Sequence, residues 1–466
     1  MGYRAGMATA SAPPLAAPLP GSAAADRIPL GVRLGWATGS IGTVTVLSTT
    51  SILLLFFMTG ILGMAPALAG ALLFGAKLFD AVIAPLMGRW SDGFASRWGR
   101  RRPFLLAGAV VSGLSFLILF APPMLEGTWL ATWMVAGLLV LALGYTLFNV
   151  PYLAMPAEMT ASPQERTALL SFRVAFVALG GALVGFAPKV AASLGGDRWA
   201  WAMTGAGLGL IVFLAMATAF AGSRAARATA ATPGQPREGL SVLLANRPFL
   251  LLLAAKVLQL VGLAAMQASI LFFLVQVLKA SEGVVGIYVV LTTVGMLASM
   301  PLWVRLGRRH AKRSLFIVAC LGYALVKLSF LLAAPGDPEW FIHLRGVAGG
   351  ILTGGVLLMG QSLLPDAIDW DCRRSGVRRE GLYAGAYSLV EKASMALGPL
   401  LVGLILSGFG FDPQAARAGV AQSEFAVTGV YLGAAALPAL LYALSTVPLF
   451  FYRIDEAALE RAAREA

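Results

Sequence analysis

Twelve apolar stretches, each long enough to cross a membrane, decide what this chain can fold into. They lie at about 32–60, 65–89, 104–123, 129–152, 167–192, 199–222, 248–278, 284–304, 314–334, 343–365, 383–409 and 425–452. A helix needs about 20 mostly apolar residues to cross a bilayer, and it satisfies its own backbone hydrogen bonds there. Since 58% of the residues are hydrophobic and 12% are charged, the sequence predicts an all-α membrane protein with twelve transmembrane helices.

A polar segment divides the twelve stretches into two sets of six. Residues 223–247 are basic and contain two prolines, which is typical of a connector. The sequence RWGRR after the second stretch also corresponds to RLGRR after the eighth, which indicates two parallel repeats. We therefore predict two pseudo-symmetric six-helix bundles. The expected units are a disordered tail 1–29, a bundle 30–222, a linker 223–247, a bundle 248–452 and a tail 453–466.

The basic residues predict the orientation of the chain. They concentrate in the loops after stretches two, six, eight and ten, whereas the opposite loops hold few beyond Arg198, Lys279 and Arg417. Short cytoplasmic loops collect Lys and Arg, so we expect both termini in the cytoplasm and the protein in the cell inner membrane. Anionic lipid headgroups account for the net charge of +13. We therefore expect a lipid bilayer as partner, no nucleic acid, and a monomer.

The sequence offers little to an enzyme or to a nucleotide-driven pump. The two histidines, His310 and His343, and the two cysteines, Cys320 and Cys372, lack the spacing of metal ligands, and no GxxxxGK[ST] loop is present. We expect no catalytic residue, no metal site and no cofactor other than a coupling ion, H⁺ or Na⁺.

Two charged residues stand inside the second stretch. A charge at the middle of a membrane helix costs roughly 2.5–3.5 kcal/mol on insertion scales, so a chain that keeps one there usually uses it. Helical spacing places Lys77, Asp80, Ala84 and Gly88 along one face, which we expect to look into the protein. The alternative is a structural ion pair between Lys77 and Asp80.

Three segments together carry a family resemblance. They are DAVIAPLMG at 80–88 with RWGRRRPF at 97–104, PYLAMPAEMT at 151–160 with ERT at 165–167, and LPDAID at 364–369 with RREGLY at 378–383. These segments resemble the glycoside-pentoside-hexuronide cation symporters of the major facilitator superfamily, and the likeness runs from the first stretch to the twelfth. It implies symport of a cation and a small solute by alternating access between the two bundles.

The resemblance implies that Asp80 and Lys392 take part in cation coupling, and Lys77 and Glu391 join them as candidates. Ala84 stands where the family has a second aspartate, so sodium would lack an oxygen ligand that a proton does not need. Lys392 lies about 16 Å along its helix from Gly381, so we expect an anionic partner, either Asp80 or Glu391. Since neighbouring residues diverge by about 100°, one of Glu391 and Lys392 should face another helix.

Several polar residues are candidates for contact with the solute: Asn149, Tyr152, Arg173, Gln267, Tyr383 and Tyr387. Asn149 and Leu153 replace the aspartate and the tryptophan with which the family holds a sugar, so the identity of the solute stays open. Glutamines Gln259, Gln267 and Gln276 could equally bond between helices. Lys256 and Lys327 could line the cavity, but we expect both to extend towards the membrane surface.

The last group of candidates is a cytoplasmic gate formed by Arg97, Arg101, Arg102, Glu158, Asp366, Asp369, Arg378 and Arg379. We expect ion pairs among the charged residues of the loop after stretch ten to latch the two bundles together in one state. The leading function is symport of a sugar-like or glycoside-like solute. The alternatives are transport of a lysophospholipid-like amphiphile, and a non-transporting receptor or assembly factor on the same scaffold.

Overall fold

The computed structural model describes residues 28–94, 96–160, 163–225, 241–375, 377 and 379–452. Within these residues, twelve helices are long and apolar enough to cross a membrane, as predicted. They are α1 Leu30–Ile61, α2 Pro66–Gly93, α3 Arg102–Phe120, α4 Gly127–Pro156, α5 Ala168–Ser193, α6 Arg198–Gly222, α7 Arg247–Val277, α8 Gly283–Gly307, α9 Lys312–Leu332, α10 Glu339–Ser375, α11 Leu382–Gly408 and α12 Glu424–Phe451. Most of both predicted tails, the middle of the linker and Arg378 lie outside the described residues.

Local sequence signals fix where several helices begin. The side chains of Asp197, Asn246 and Ser423 accept hydrogen bonds from backbone N–H groups in the first turns of α6, α7 and α12. Each such bond satisfies a donor that the helix itself leaves free. Pro66 opens α2 at a position where its missing N–H is no loss.

Each half repeats the same helix pairings. In the first half α1 packs against α5 and α6, α3 against α4 and α6, and α2 against α4. In the second half α7 packs against α11 and α12, α9 against α10 and α12, and α8 against α10. The first helix of each half also ends in a π-helical turn, Phe57–Ile61 in α1 and Phe273–Val277 in α7. The two bundles are therefore pseudo-symmetric copies, as in the major facilitator fold.

The bundles meet through α2 with α11 and through α5 with α8. We call the end that carries the loops after α2, α6, α8 and α10 the arginine-rich end. At the opposite end, the backbone N–H of Ala67 donates to Ser407 Oγ at 2.9 Å. A Cβ atom added at Gly403 would lie 2.3 Å from the backbone oxygen of Pro66. Glycine thus allows α2 and α11 to pack backbone against backbone at this end.

Candidate functional site

A salt bridge between the two bundles lies near the middle of the membrane helices. Lys392 Nζ of α11 donates to Asp80 Oδ2 of α2 at 2.9 Å, and Thr146 of α4 donates its hydroxyl to the other carboxylate oxygen. The side chains of Asp80 and Lys392 are 17% and 29% exposed. The expected contact between Lys392 and Asp80 is confirmed, and both side chains of the pair are partly exposed.

Lys77 lies beside this pair but contacts a different helix. Its Nζ donates to Ser51 Oγ of α1 at 3.4 Å, and among the described residues it forms no direct ion pair with Asp80. Both residues line a cavity of about 50 Å³ between α1, α2 and α4, together with Thr50 and Tyr145. The cavity gives Asp80 room for a small ion or a proton-carrying water.

Two residues of this site were missed by the sequence reasoning. Thr146 and Tyr145 lie three and four positions before Asn149 on α4, so the helical repeat from that candidate could have indicated them. Thr146 holds the Asp80 carboxylate, and Tyr145 lies within electrostatic range of Asp80, Arg173 and Glu391.

Among the described residues, one hydroxyl group, that of Thr146, bonds the Asp80 carboxylate directly. The carboxylate and the Thr146 hydroxyl are within reach of a bound ion, whereas Ala84 supplies no oxygen from the next turn of α2. A sodium ion stripped of water needs several oxygen ligands, whereas a proton needs a single basic atom. The choice between a proton and sodium therefore stays a prediction.

Glu391 faces a different neighbour from Lys392, as the helical geometry requires. It lies within electrostatic range of Lys256 on α7 and of Tyr387 one turn earlier on α11. Lys256 Nζ stands 5.9 Å from the centre of the Tyr387 ring. The expectation that Lys256 extends to the membrane surface is wrong, because this side chain is 4% exposed and points into the second bundle.

The candidates on α4 and α5 cluster around one hydroxyl group. Tyr152 is fully buried, stacks on Trp36 with ring centres 4.6 Å apart, and bonds Ser40 Oγ at 2.7 Å. Its predicted contact with the solute is therefore wrong, because its ring joins α1 to α4. Arg173 lies within electrostatic range of the same hydroxyl group, and its buried Nε has no hydrogen-bond partner among the described residues. Arg173 stays a candidate for contact with the solute.

Asn149 lies one turn before this cluster. Its side chain is 8% exposed. It forms no hydrogen bond with the residues that the structure describes, so both its donor and its acceptor groups remain available to a ligand.

The candidates of the second bundle separate into two groups. Tyr383 is fully buried against Phe249, and Asn246 Nδ2 donates to its hydroxyl at 3.1 Å, so the assignment of Tyr383 to the solute site is wrong. Gln259 bonds between helices, donating to Cys320 Sγ at 3.0 Å. Gln267 keeps a buried Oε1 without a partner and stays a candidate for contact with the solute.

The predicted gate residues of the first bundle do reach the arginine-rich end. Arg101 pairs with Asp92 at 2.8 Å and with Glu158 at 2.7 Å. Arg102 donates to the backbone oxygen of Phe220 at 2.9 Å and so ties α3 to α6. Arg97 lies against the ring of Trp98. These contacts all stay within the first bundle.

The predicted gate residues of the second bundle behave in the same way. Asp366 pairs with Lys312 at 2.8 Å, and Asp371 pairs with Arg379 at 3.1 Å. Asp369 is exposed. These ion pairs join residues of one bundle. Since Arg378 lies outside the described residues and the latch was expected in one state only, the latch stays a prediction.

The expectation that Lys327 extends towards the membrane surface is also wrong. Its side chain is 1% exposed and lies inside the second bundle, where Nζ is 3.3 Å from the Tyr288 hydroxyl. The rings of Tyr323 and Phe330 lie 4.8 and 4.7 Å from the ammonium group. Aromatic faces, rather than water at the membrane surface, surround this cation.

The paired bundles and the charged pair between them define a secondary transporter of the major facilitator type. A family model described as "MFS/sugar transport protein" matches residues 35–456. The chain belongs to this family, and it is a multi-pass membrane transporter rather than an enzyme.

Named relatives cover nearly the whole chain. An uncharacterized symporter of Bacillus subtilis, YnaJ, is 28% identical over 93% of this chain and 94% of its own length. The putative glycoside/cation symporter YagG of Escherichia coli is 27% identical with the same coverage. The isoprimeverose transporter of Lactiplantibacillus pentosus is 24% identical over 92% of this chain and 90% of its own.

A solved structure has the same fold. A bacterial homologue of the human lysosomal transporter Spinster, at 14% identity, covers 94% of this chain and 96% of its own chain with a TM-score of 0.61.

Proposed function

We propose that this protein couples the transport of a sugar-like solute to a cation by alternating access, and that the cation is a proton. Relatives that match along almost their whole length are named a putative glycoside/cation symporter, an isoprimeverose transporter and a glucuronide carrier protein homolog. The observation that carries the proposal is the pair of Asp80 and Lys392, which joins the two moving bundles through one titratable carboxylate.

The state of the molecule supports the same proposal. Arginine-rich loops face the cytoplasm in inner-membrane proteins, so we place this end and both termini in the cytoplasm. The bundles contact each other closely at the opposite end, through Ala67 with Ser407 and Pro66 with Gly403. We infer an inward-facing state, closed towards the outside, in which solute and proton leave to the cytoplasm.

The charge on Asp80 provides the coupling. With Asp80 ionised, Lys392 holds α11 to α2 across the boundary between the bundles. A proton on Asp80 removes the negative charge and leaves Lys392 without this partner, so the two bundles are free to change their relative position. The proton therefore biases the equilibrium between the two states, and the solute bound between the bundles moves with it.

Purified protein in liposomes tests this function directly. We expect a pH gradient, acidic outside, to drive accumulation of a radiolabelled sugar from a panel that includes isoprimeverose, xylose and methyl β-D-glucoside. Asp80→Asn should abolish accumulation but keep exchange of solute across the membrane, whereas Glu424→Gln, on the exposed first turn of α12, should change neither. Undiminished uphill uptake by Asp80→Asn contradicts the coupling role. Uptake of a lysophospholipid instead of any sugar contradicts the solute class.

A further inference from the structure

We propose that Glu391, together with Tyr387 and Lys256, forms a solute-binding subsite in the second bundle, in which the Glu391 carboxylate accepts hydrogen bonds from two neighbouring hydroxyl groups of a sugar. This inference rests on the proposed function and separates Glu391 from the coupling site, where its position beside Lys392 first placed it.

Helix geometry divides the two neighbours between two tasks. Tyr387 and Glu391 are four residues apart on α11, so they lie on one face, one turn from each other. Lys256 Nζ of α7 stands 5.9 Å from the Tyr387 ring, so this face looks towards α7. Lys392 is turned by about 100° from Glu391 and bonds Asp80. The coupling pair and the Glu391 face are therefore different surfaces of the same helix.

The subsite has polar groups without partners. Glu391 is partly buried, and it forms no hydrogen bond or ion pair with the residues that the structure describes. Tyr387 is 6% exposed, and its hydroxyl group is buried without a hydrogen-bond partner. A buried polar group without a partner is unfavourable, so a ligand that bonds to it would bind more tightly for that reason.

The subsite lies near a residue of the other bundle. Tyr145 of α4 lies within electrostatic range of Glu391, and it lines the cavity beside Asp80. No hydrogen bond to the Tyr145 hydroxyl is formed by the described residues. A solute between Tyr145 and Glu391 would therefore contact both bundles at once, as alternating access requires.

The chemistry of the groups points to neutral polyhydroxylated solutes. An ionised carboxylate accepts hydrogen bonds through two oxygens, a spacing that suits two adjacent hydroxyl groups, and bonds to a charged acceptor are stronger than bonds between neutral groups. Lys256 lies within electrostatic range of Glu391 and adds a hydrogen-bond donor to the subsite. The ring faces of Tyr387 and Tyr145 are apolar, so they suit packing against the C–H faces of a sugar ring.

Exchange of solute at equal pH on both sides tests the subsite without any demand on coupling. With the sugar of the panel that the wild type exchanges best, we expect Glu391→Gln to raise the half-saturating concentration at least tenfold and Tyr387→Phe to raise it a few fold. Glu424→Gln is the matched control. An analogue of that sugar lacking one hydroxyl of the pair should bind the wild type more weakly, and Glu391→Gln should lose this discrimination.

The outcomes separate the subsite from the proposed function. If the wild type exchanges no sugar of the panel, the proposed function and the subsite fall together. If Glu391→Gln exchanges sugar like the wild type but loses accumulation driven by a pH gradient, Glu391 belongs to the coupling site and the inference is overturned. If Glu391→Gln unfolds more readily than the wild type, the test rests on Tyr387→Phe, which removes one buried oxygen atom. Unchanged exchange by Tyr387→Phe then overturns the inference.

Discussion

The salt bridge between Asp80 and Lys392 should show a measurable coupling free energy in a double-mutant cycle. Removing one partner of a fully buried pair costs about 3–5 kcal/mol, whereas exposed pairs contribute about 0–1 kcal/mol. The side chains of Asp80 and Lys392 are 17% and 29% exposed, between these limits. We therefore expect Lys392→Met and Asp80→Asn each to lower the free energy of unfolding by about 2 kcal/mol.

The double variant should be more stable than the sum of the two changes predicts. Asp80→Asn together with Lys392→Met leaves no unpaired charge, and the asparagine oxygen can still accept the bond from Thr146. We expect a coupling free energy of about 1–2 kcal/mol between the two positions. This coupling free energy is measured by thermal unfolding of all four proteins in the same detergent. We expect each single variant to lower the unfolding midpoint by roughly 4 °C or less, because a given free energy shifts the midpoint less in a long chain.

The control is a pair of the same chemistry within one bundle. Lys312 and Asp366 lie 2.8 Å apart at the arginine-rich end, with side chains 43% and 29% exposed. The cycle of Lys312→Met with Asp366→Asn should give less than about 1 kcal/mol. A coupling free energy at Asp80 and Lys392 no larger than that of this control, with the double variant destabilised by the full sum of the two single changes, refutes the reasoning.

Three further changes test other parts of the structure. Ala84→Asp adds a carboxylate one turn after Asp80. Uptake by the wild type should follow only the pH gradient, whereas uptake by this variant should also respond to sodium at fixed pH. Uptake by the wild type that is driven by sodium alone contradicts the proton assignment. Lys327→Met removes a buried cation surrounded by aromatic rings, and because desolvation of the charge is unfavourable, the unfolding midpoint should stay equal or rise; a fall of several degrees would show that the cation is needed. Gly403→Val should prevent close packing of α2 on α11, so transport should fall while Gly408→Val, where a Cβ atom meets open space, transports like the wild type.

The helices could be predicted from the sequence because a bilayer leaves an apolar chain few alternatives. Each apolar run must satisfy its backbone hydrogen bonds internally, so the positions of the twelve helices follow from hydropathy. The pair of Asp80 with Lys392 was predictable for a related reason. A charge that deep in the membrane needs a partner, and the chain offers few.

The direction in which a polar side chain points could not be predicted in the same way. In a soluble helix the buried face is the apolar one, but in a membrane helix the face towards lipid and the face towards protein are both apolar. The sequence pattern therefore did not tell a cavity from a packed interface. Tyr152 and Tyr383 were assigned to the solute site although they are buried in helix contacts, and Lys256 and Lys327 were expected at the membrane surface although they are buried in the second bundle. The ion pairs of the gate depend in addition on which state the bundles occupy.

Helices α2 and α11 form both the Asp80–Lys392 pair and the close contact at the outer end. A change of charge at Asp80 can therefore alter the relative position of the two bundles. On α2, Gly70 and Asp80 are about 15 Å apart at 1.5 Å per residue, and on α11 Lys392 and Gly403 are separated by a similar length. At Gly403 the contact is backbone against backbone, an attraction that disappears once the helices separate by an ångström or two. At Asp80 the attraction is between charges and acts over a longer distance. A proton on Asp80 thus weakens the long-range attraction between α2 and α11, and the outer contact, which is short-ranged, must then hold the closed state alone.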